Sequence, residues 1–158
     1  MIASFTGHRL YREQNAKLKE AIVRLYNDGY RTFMSGMAEG FDLAAAECVL
    51  ELKQSYGDIK LICVVPFEGH RTTIQSSQRL RDDAICLAAD EVITLEQNYH
   101  HGVYNLRNDY LVDKADAIVC YYSGLKRSGT GYTVTKAIKK MIRVINIYAD
   151  GCQIEFFV

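Results

Sequence analysis

Short apolar runs alternate with amphipathic segments along the chain, and this alternation limits the fold more than any single motif. Residues 2–6 read as a strand ending at Gly7. Residues 14–27 read as a helix with Leu18, Ala21, Ile22, Leu25 and Tyr26 on one face. Gly29 supplies its stop. A strand over 31–35 precedes an alanine-rich helix over 41–55. A buried strand over 60–65 is then closed by Pro66, the one proline. The pattern continues as helix 72–87, strand 91–95, helix 104–113 and a strongly apolar strand over 115–122. Helix 131–141, with Val134, Ala137, Ile138 and Met141 inward, leads to strand 143–148 and a small edge strand over 154–158. Strands separated by helices need crossover connections, which make a parallel sheet covered on both faces. The expectation is one α/β domain over residues 1–158 with an open, mainly parallel sheet.

Composition narrows the function classes. With 158 residues, 49% of them apolar, the chain can bury a core without staples. A formal net charge of zero argues against a dominant basic surface, so nucleic acid is an unfavoured partner. Five scattered cysteines (Cys48, Cys63, Cys86, Cys120 and Cys152) form no CxxC pair, which disfavours a disulfide framework or a zinc site. A reducing cytoplasm is the expected location. No basic leader or long apolar stretch marks a signal peptide or a membrane span.

Three loops following expected strands have phosphate-binding composition. The first, Thr6-Gly7-His8-Arg9, offers a forked Arg9 donor and His8; its bland alternative is a tight turn with a solvent-facing arginine. The second runs from Ser35 through Gly36 and Gly40 to Asp42. Asp42 suits a helix cap or a ligand contact equally, and Glu47 further on reads first as a solvated helix residue. The third, Ser128-Gly129-Thr130-Gly131-Tyr132-Thr133, places hydroxyls and N–H groups at a helix start but lacks the GK[ST] ending of a Walker loop. Parallel strands carry all such loops at one sheet edge, so the three can converge on one site. His100-His101 reads as a loop rather than a metal site, Arg107-Asn108 faces either pocket or solvent, and Tyr132 could stack on a base.

The strings TGHR, SGMAEGFDLAAAE, VVPF, LRNDYLVDKADAIVCYYSG and SGTGYT, in this order, resemble the YpsA-like family of small bacterial and prophage proteins. That family is related to the DprA/Smf DNA-processing proteins and the Lonely Guy nucleotide hydrolases. The resemblance implies a Rossmann-like three-layer fold and a pocket for a nucleotide derivative. That pocket would be built from Gly7, Arg9, Gly36, Gly40, Asp42, Glu47, Arg107, Gly129 and Thr130. His8 and Ser35 join that set from the loops themselves. Lonely Guy enzymes carry a catalytic glutamate in a PGGxGTxxE loop; Gly129-Thr130 matches its GT, but Thr133 occupies the glutamate position.

The leading expectation is therefore a binding module that senses or sequesters an NAD-, ADP-ribose- or nucleotide-like molecule, with no cofactor or metal. One alternative is hydrolysis of an N-glycosidic or phosphate bond, with Arg107 orienting phosphate and Glu39 or Glu47 as acid–base; no catalytic residue is assigned. The other is DprA-like nucleic-acid binding. A homo-oligomer remains open.

Overall fold

The computed structural model describes residues 1–148; the edge strand expected over 154–158, and Cys152, lie outside them. Strands and helices alternate as β1 (Ile2–Gly7), α1 (Ala16–Asn27), β2 (Thr32–Ser35), α2 (Phe41–Lys53), β3 (Lys60–Phe67) and α3 (Ser76–Ala88). They continue as β4 (Glu91–Glu96), α4 (Val103–Asp113), β5 (Ala117–Tyr121), α5 (Gly129–Lys139) and β6 (Arg143–Asn146). The six strands form one all-parallel sheet in the order β4-β3-β2-β1-β5-β6. The fold is the Rossmann-like α/β sandwich expected.

The strand residues sort by parity, because successive side chains point to opposite sheet faces. Ala3 and Phe5 of β1, with Ala117 and Val119 of β5, enter a core shared with Leu18 and Ile22 of α1 and Val49 of α2. Between them, Ser4 faces the other way and its hydroxyl donates to Leu111 O of α4 at 2.8 Å. Ile118 and Cys120 pack with Val112 of α4 and with Val134 and Ala137 of α5. Thus α1–α3 cover one face, and α4 and α5 the other. Phe5, Phe33 and Phe41 are fully buried, with Phe5 6.1 and 6.4 Å from the other two rings. Each such side chain contributes roughly 1.5–3 kcal/mol by leaving water. In contrast, edge strand β4 has no fully buried residue, which explains its mixed sequence.

Local departures from the sequence reading have identifiable causes. Pro66 does not end β3. Pairing with β4 steps from Val65↔Thr94 to Phe67↔Glu96, past the residue that lacks an N–H. The helix expected over 72–87 is split. A 3-10 turn (His70–Thr73) is followed by extended backbone at Ile74 and Gln75, where the Gln75 N–H donates to Glu39 Oε1 at 2.7 Å. The last helix starts earlier than expected, at Gly129, with Ser128 as its cap. It also ends before Met141, whose φ is +57° and which is exposed rather than inward; Ile138, within the helix, is exposed as well.

The strand order sets the site. From β1 the chain winds outward through β2 and β3 to β4, then α4 returns it across the sheet to lay β5 on β1's other side. The loops after β1 and β5 therefore diverge, opening a crevice at the carboxyl edge between them.

Candidate functional site

A cavity of about 320 Å3 occupies this crevice, within the size range of small-molecule sites. Residues 6–9 after β1 form one wall, and Ala38 and Asp42, around the start of α2, form the floor. Tyr104, Asn105, Arg107 and Asn108 come from the first turns of α4, and residues 128–130 from the start of α5.

The α5 start is built to stay open. Ser128 Oγ accepts the Gly131 N–H at 2.9 Å and donates to Leu125 O at 2.7 Å, fixing the entering loop. The Gly129 and Thr130 N–H groups have no acceptor among the described residues. A Cβ at Gly131 would lie 2.6 Å from Lys126 O, whereas one at Gly129 would meet only Asn108 Nδ2, at 3.7 Å. Gly131 is thus a packing glycine, and Gly129 leaves its backbone facing the cavity. Thr133 is buried with its hydroxyl donated to Gly129 O at 2.9 Å, which stabilises the turn.

Arg107 is 7% exposed, yet no carboxylate lies within ion-pair distance among the described residues. Its Nη1 donates to Gly36 O at 3.1 Å, while Nε and Nη2 donate to Asn108 Oδ1 at 3.3 and 3.1 Å. These bonds use three of the five guanidinium donors. Burial pulls its pKa down, opposed chiefly by the Asp42 charge.

Asp42 is 4% exposed; its Oδ2 accepts the Ala38 N–H at 3.3 Å, and its Oδ1 is buried without a partner. Burial raises its pKa to about 6, against the pull of Arg107, the Ala38 N–H and Arg9. A buried cation short of acceptors and a buried carboxyl short of donors therefore share one cavity. Such groups call for a partner.

His8 ties the two diverging loops together. Its Nε2 accepts the Ser123 N–H at 3.0 Å, and the Ser123 hydroxyl lies at 2.9 Å. A backbone N–H only donates, so Nε2 is unprotonated; burial accordingly lowers the pKa of the ring. Arg9 is exposed and makes no side-chain hydrogen bond or ion pair among the described residues. Exposed Lys126 and Arg127 directly precede Ser128. Exposed cations therefore lie on or next in sequence to the cavity-lining segments of a chain of zero net charge.

Of the residues expected at the site, Gly7, His8, Arg9, Asp42, Arg107, Gly129 and Thr130 line this one cavity. Ser35, Gly36, Gly40 and Glu47 do not. Ser35 is buried, donating to Asp42 O at 2.8 Å and accepting the Met37 N–H at 3.3 Å. Gly36 lies beneath Arg107, so close that a Cβ there would sit 3.0 Å from Arg107 Cδ. Gly40 has a φ of +81°, and a Cβ there would overlap the Arg9 carbonyl. Glu47 faces α3 and accepts Arg81 Nε at 2.8 Å. Glu39 is bound to Gln75, as above. Tyr132 donates to Asp109 Oδ1 at 2.8 Å and is not a cavity residue. His100 and His101 are exposed, and no metal-binding cluster of His, Cys, Asp or Glu occurs among the described residues. Sequence reasoning missed Tyr104 and Asn105, while Ala38 and Ser128 lay in the loops it singled out without being named as contacts. The i, i+4 spacing of Tyr104 and Asn108 was the available signal for one of them.

Comparison with known proteins places this geometry among relatives. The YpsA family model, described as the YspA SLOG family, matches residues 10–149. A UPF0398 protein of Halalkalibacterium halodurans is 31% identical over 124 residues, covering 77% of this chain and 66% of that protein. The chain thus spans slightly less than two thirds of that relative's length. An uncharacterised SPbeta prophage-derived protein, YoqJ of Bacillus subtilis, is 32% identical over 73% of this chain and 72% of its own. Among solved structures, DNA processing protein A of Helicobacter pylori, described for its single-stranded DNA binding mode, superposes with a TM-score of 0.66. It is 17% identical and covers 98% of this chain and 68% of its own, a likeness of fold. No helix among the described residues is long and apolar enough to cross a membrane.

Proposed function

We propose that this chain, which belongs to the YpsA SLOG family, binds a nucleotide-derived small molecule at the β1/β5 crevice, as a sensing or sequestering module. The observation that carries this reading is the buried Arg107 with no carboxylate at ion-pair distance, facing a cavity that also holds the uncapped Gly129 and Thr130 N–H groups. A helix start presents N–H donors and a positive dipole end, and a phosphate satisfies both. Arg9 and the exposed Lys126-Arg127 pair, next in sequence to Ser128, supply cations for further phosphates. Cys48, Cys63, Cys86 and Cys120 are free thiols, which supports a reducing compartment such as the cytoplasm.

The hydrolase alternative loses both of its expected acid–bases, because Glu39 and Glu47 are engaged outside the cavity. Only Asp42 would serve. Single-stranded DNA is the second reading, favoured by these exposed cations and by the fold shared with DNA processing protein A.

Thermal shift and calorimetry with nucleotides, NAD and ADP-ribose test the proposal. A ligand at 100 times its dissociation constant stabilises the fold by about 2.7 kcal/mol. Binding should weaken by roughly 1.5–3 kcal/mol in Arg107→Ala, and the wild type should form no product on mass spectrometry. Tight binding of oligonucleotides alone, with a steep inverse dependence on salt, would establish the DNA reading instead.

A further inference from the structure

Tyr104 and Asn108 are one turn apart on α4 and both line the cavity. Their side chains leave the same helix face, separated by about 6 Å along its axis. Asn108 stands over the open start of α5, its amide nitrogen 3.7 Å from the position of a Cβ at Gly129. The cavity accordingly has two unlike ends. At one are the Gly129 and Thr130 N–H groups and Asn108; at the other is an aromatic ring.

That ring is part of a braced surface. Tyr104 has the ring centroids of His70, Tyr99 and Phe67 at 6.1, 6.3 and 6.3 Å, and Tyr99 lies 5.6 Å from Phe67. Phe67 and His70 are buried, while Tyr99 is 62% exposed. Neither the Tyr99 nor the Tyr104 hydroxyl has a hydrogen-bond partner among the described residues, so neither ring is held by its polar tip. The Arg107 guanidinium carbon is 5.6 Å from the Tyr104 centroid, linking the shelf to the cation of the polar end. A braced aromatic ring one helical turn from Asn108, which itself stands over the start of α5, matches a ligand whose flat and charged parts are separated by one sugar.

We infer that Tyr104, braced by Tyr99, takes the base of the ligand, which makes the preferred ligand a nucleoside 5′-phosphate or a compound ending in one. This rests on the phosphate reading of the α5 start given above. The base stacks on Tyr104, which Tyr99 braces from outside the cavity lining at an interplanar angle of 58°, and the phosphate reaches Gly129 and Thr130. Stacking uses the face that every base has, so selectivity is for the presence of a base more than for its identity.

Calorimetry of the purified protein with AMP, GMP, ribose 5-phosphate and inorganic phosphate tests the shelf. Wild type should bind either nucleotide about tenfold or more tighter than ribose 5-phosphate. Tyr104→Leu should weaken nucleotide binding more than ribose 5-phosphate binding and so cut that preference to about twofold, and Tyr99→Ala should narrow it less. If Tyr104→Leu fails to fold, Tyr99→Ala decides the matter, since it alters an exposed side chain. Equal wild-type affinity for nucleotides and ribose 5-phosphate overturns the shelf and leaves the phosphate reading standing. So does a preference untouched by Tyr99→Ala and, where it folds, by Tyr104→Leu. Failure of all four compounds to bind overturns both.

Discussion

The two glycine-containing segments that precede α2 and α5 look alike in sequence and are used in opposite ways. The first spends its freedom inward. Met37, Ala38 and Phe41 donate their N–H groups to Ser35 Oγ, Asp42 Oδ2 and His8 O, and Gly40 is pressed against the Arg9 carbonyl. The second spends it outward, leaving Gly129 and Thr130 N–H groups open to the cavity beneath a single serine cap. A glycine therefore signals close approach without saying what approaches. At Gly40 it is the protein's own backbone; at Gly129 the nearest group among the described residues is Asn108 Nδ2, no closer than 3.7 Å.

Substitutions can break this contrast. The largest effect is expected at Gly40→Ala, which combines a φ of +81° with overlap of a backbone carbonyl that has no rotamer to yield. We expect a loss of about 3 kcal/mol or more, read as a fall in the denaturation midpoint.

Next comes Asp42, the carboxyl that both segments' neighbourhoods share. Its folded pKa of about 6 stands above the ordinary value, so the native state holds the proton more tightly than the unfolded chain. The resulting stabilisation is fully present below about pH 4 and is lost as pH rises through about 6, on the order of 3 kcal/mol. Asp42→Asn should flatten the wild-type decline in melting temperature between those pH values. For a bound phosphate the direction is the same. Ionised Asp42 repels it, so affinity should weaken as pH rises through 6, and weaken less in the Asn variant.

Arg107→Ala should lower phosphate-ligand affinity by roughly 1.5–3 kcal/mol, the range of a hydrogen bond to a charged group. Calorimetry on the folded variant would show it. The smallest stability effect is expected at Gly129→Ala, where the added methyl finds room and alanine suits a helix better than glycine. The change should lie within about 1 kcal/mol, in the stabilising direction. Ligand affinity should nevertheless drop, because the methyl stands at the cavity wall. Comparable destabilisation by Gly40→Ala and Gly129→Ala would erase the distinction between the segments.

The sheet was legible in the sequence because its signal is repetitive: buried β5 reads AIVCY without a polar residue, and each strand is followed by a helical face. Details that depend on a single distant contact were not. Nothing near Gln75 foretells that its N–H will meet Glu39, so the break before α3 was invisible. Pro66 looked terminal because the sequence does not show that pairing with β4 can step past it. At the site, residues after β1 and at the start of α5 were legible from loop composition. Arg107 and Glu47 were both promoted by family resemblance, and only Arg107 reaches the cavity. The fate of Glu47 was decided by Arg81 on a neighbouring helix, a pairing no local pattern encodes.

The sheet order also imposes a schedule on the making of the cavity. β1 to β4 are neighbours in the order in which they leave the ribosome, so the first 96 residues can zip up as a growing half-sheet. The crevice has no second side until β5 arrives, and no open helix start facing it until residues 128–130 follow. On the phosphate reading, a nascent chain could not engage a ligand before residue 130, and a ligand could not assist the assembly of β1–β4. A ligand would then meet only chains whose α5 start has already formed.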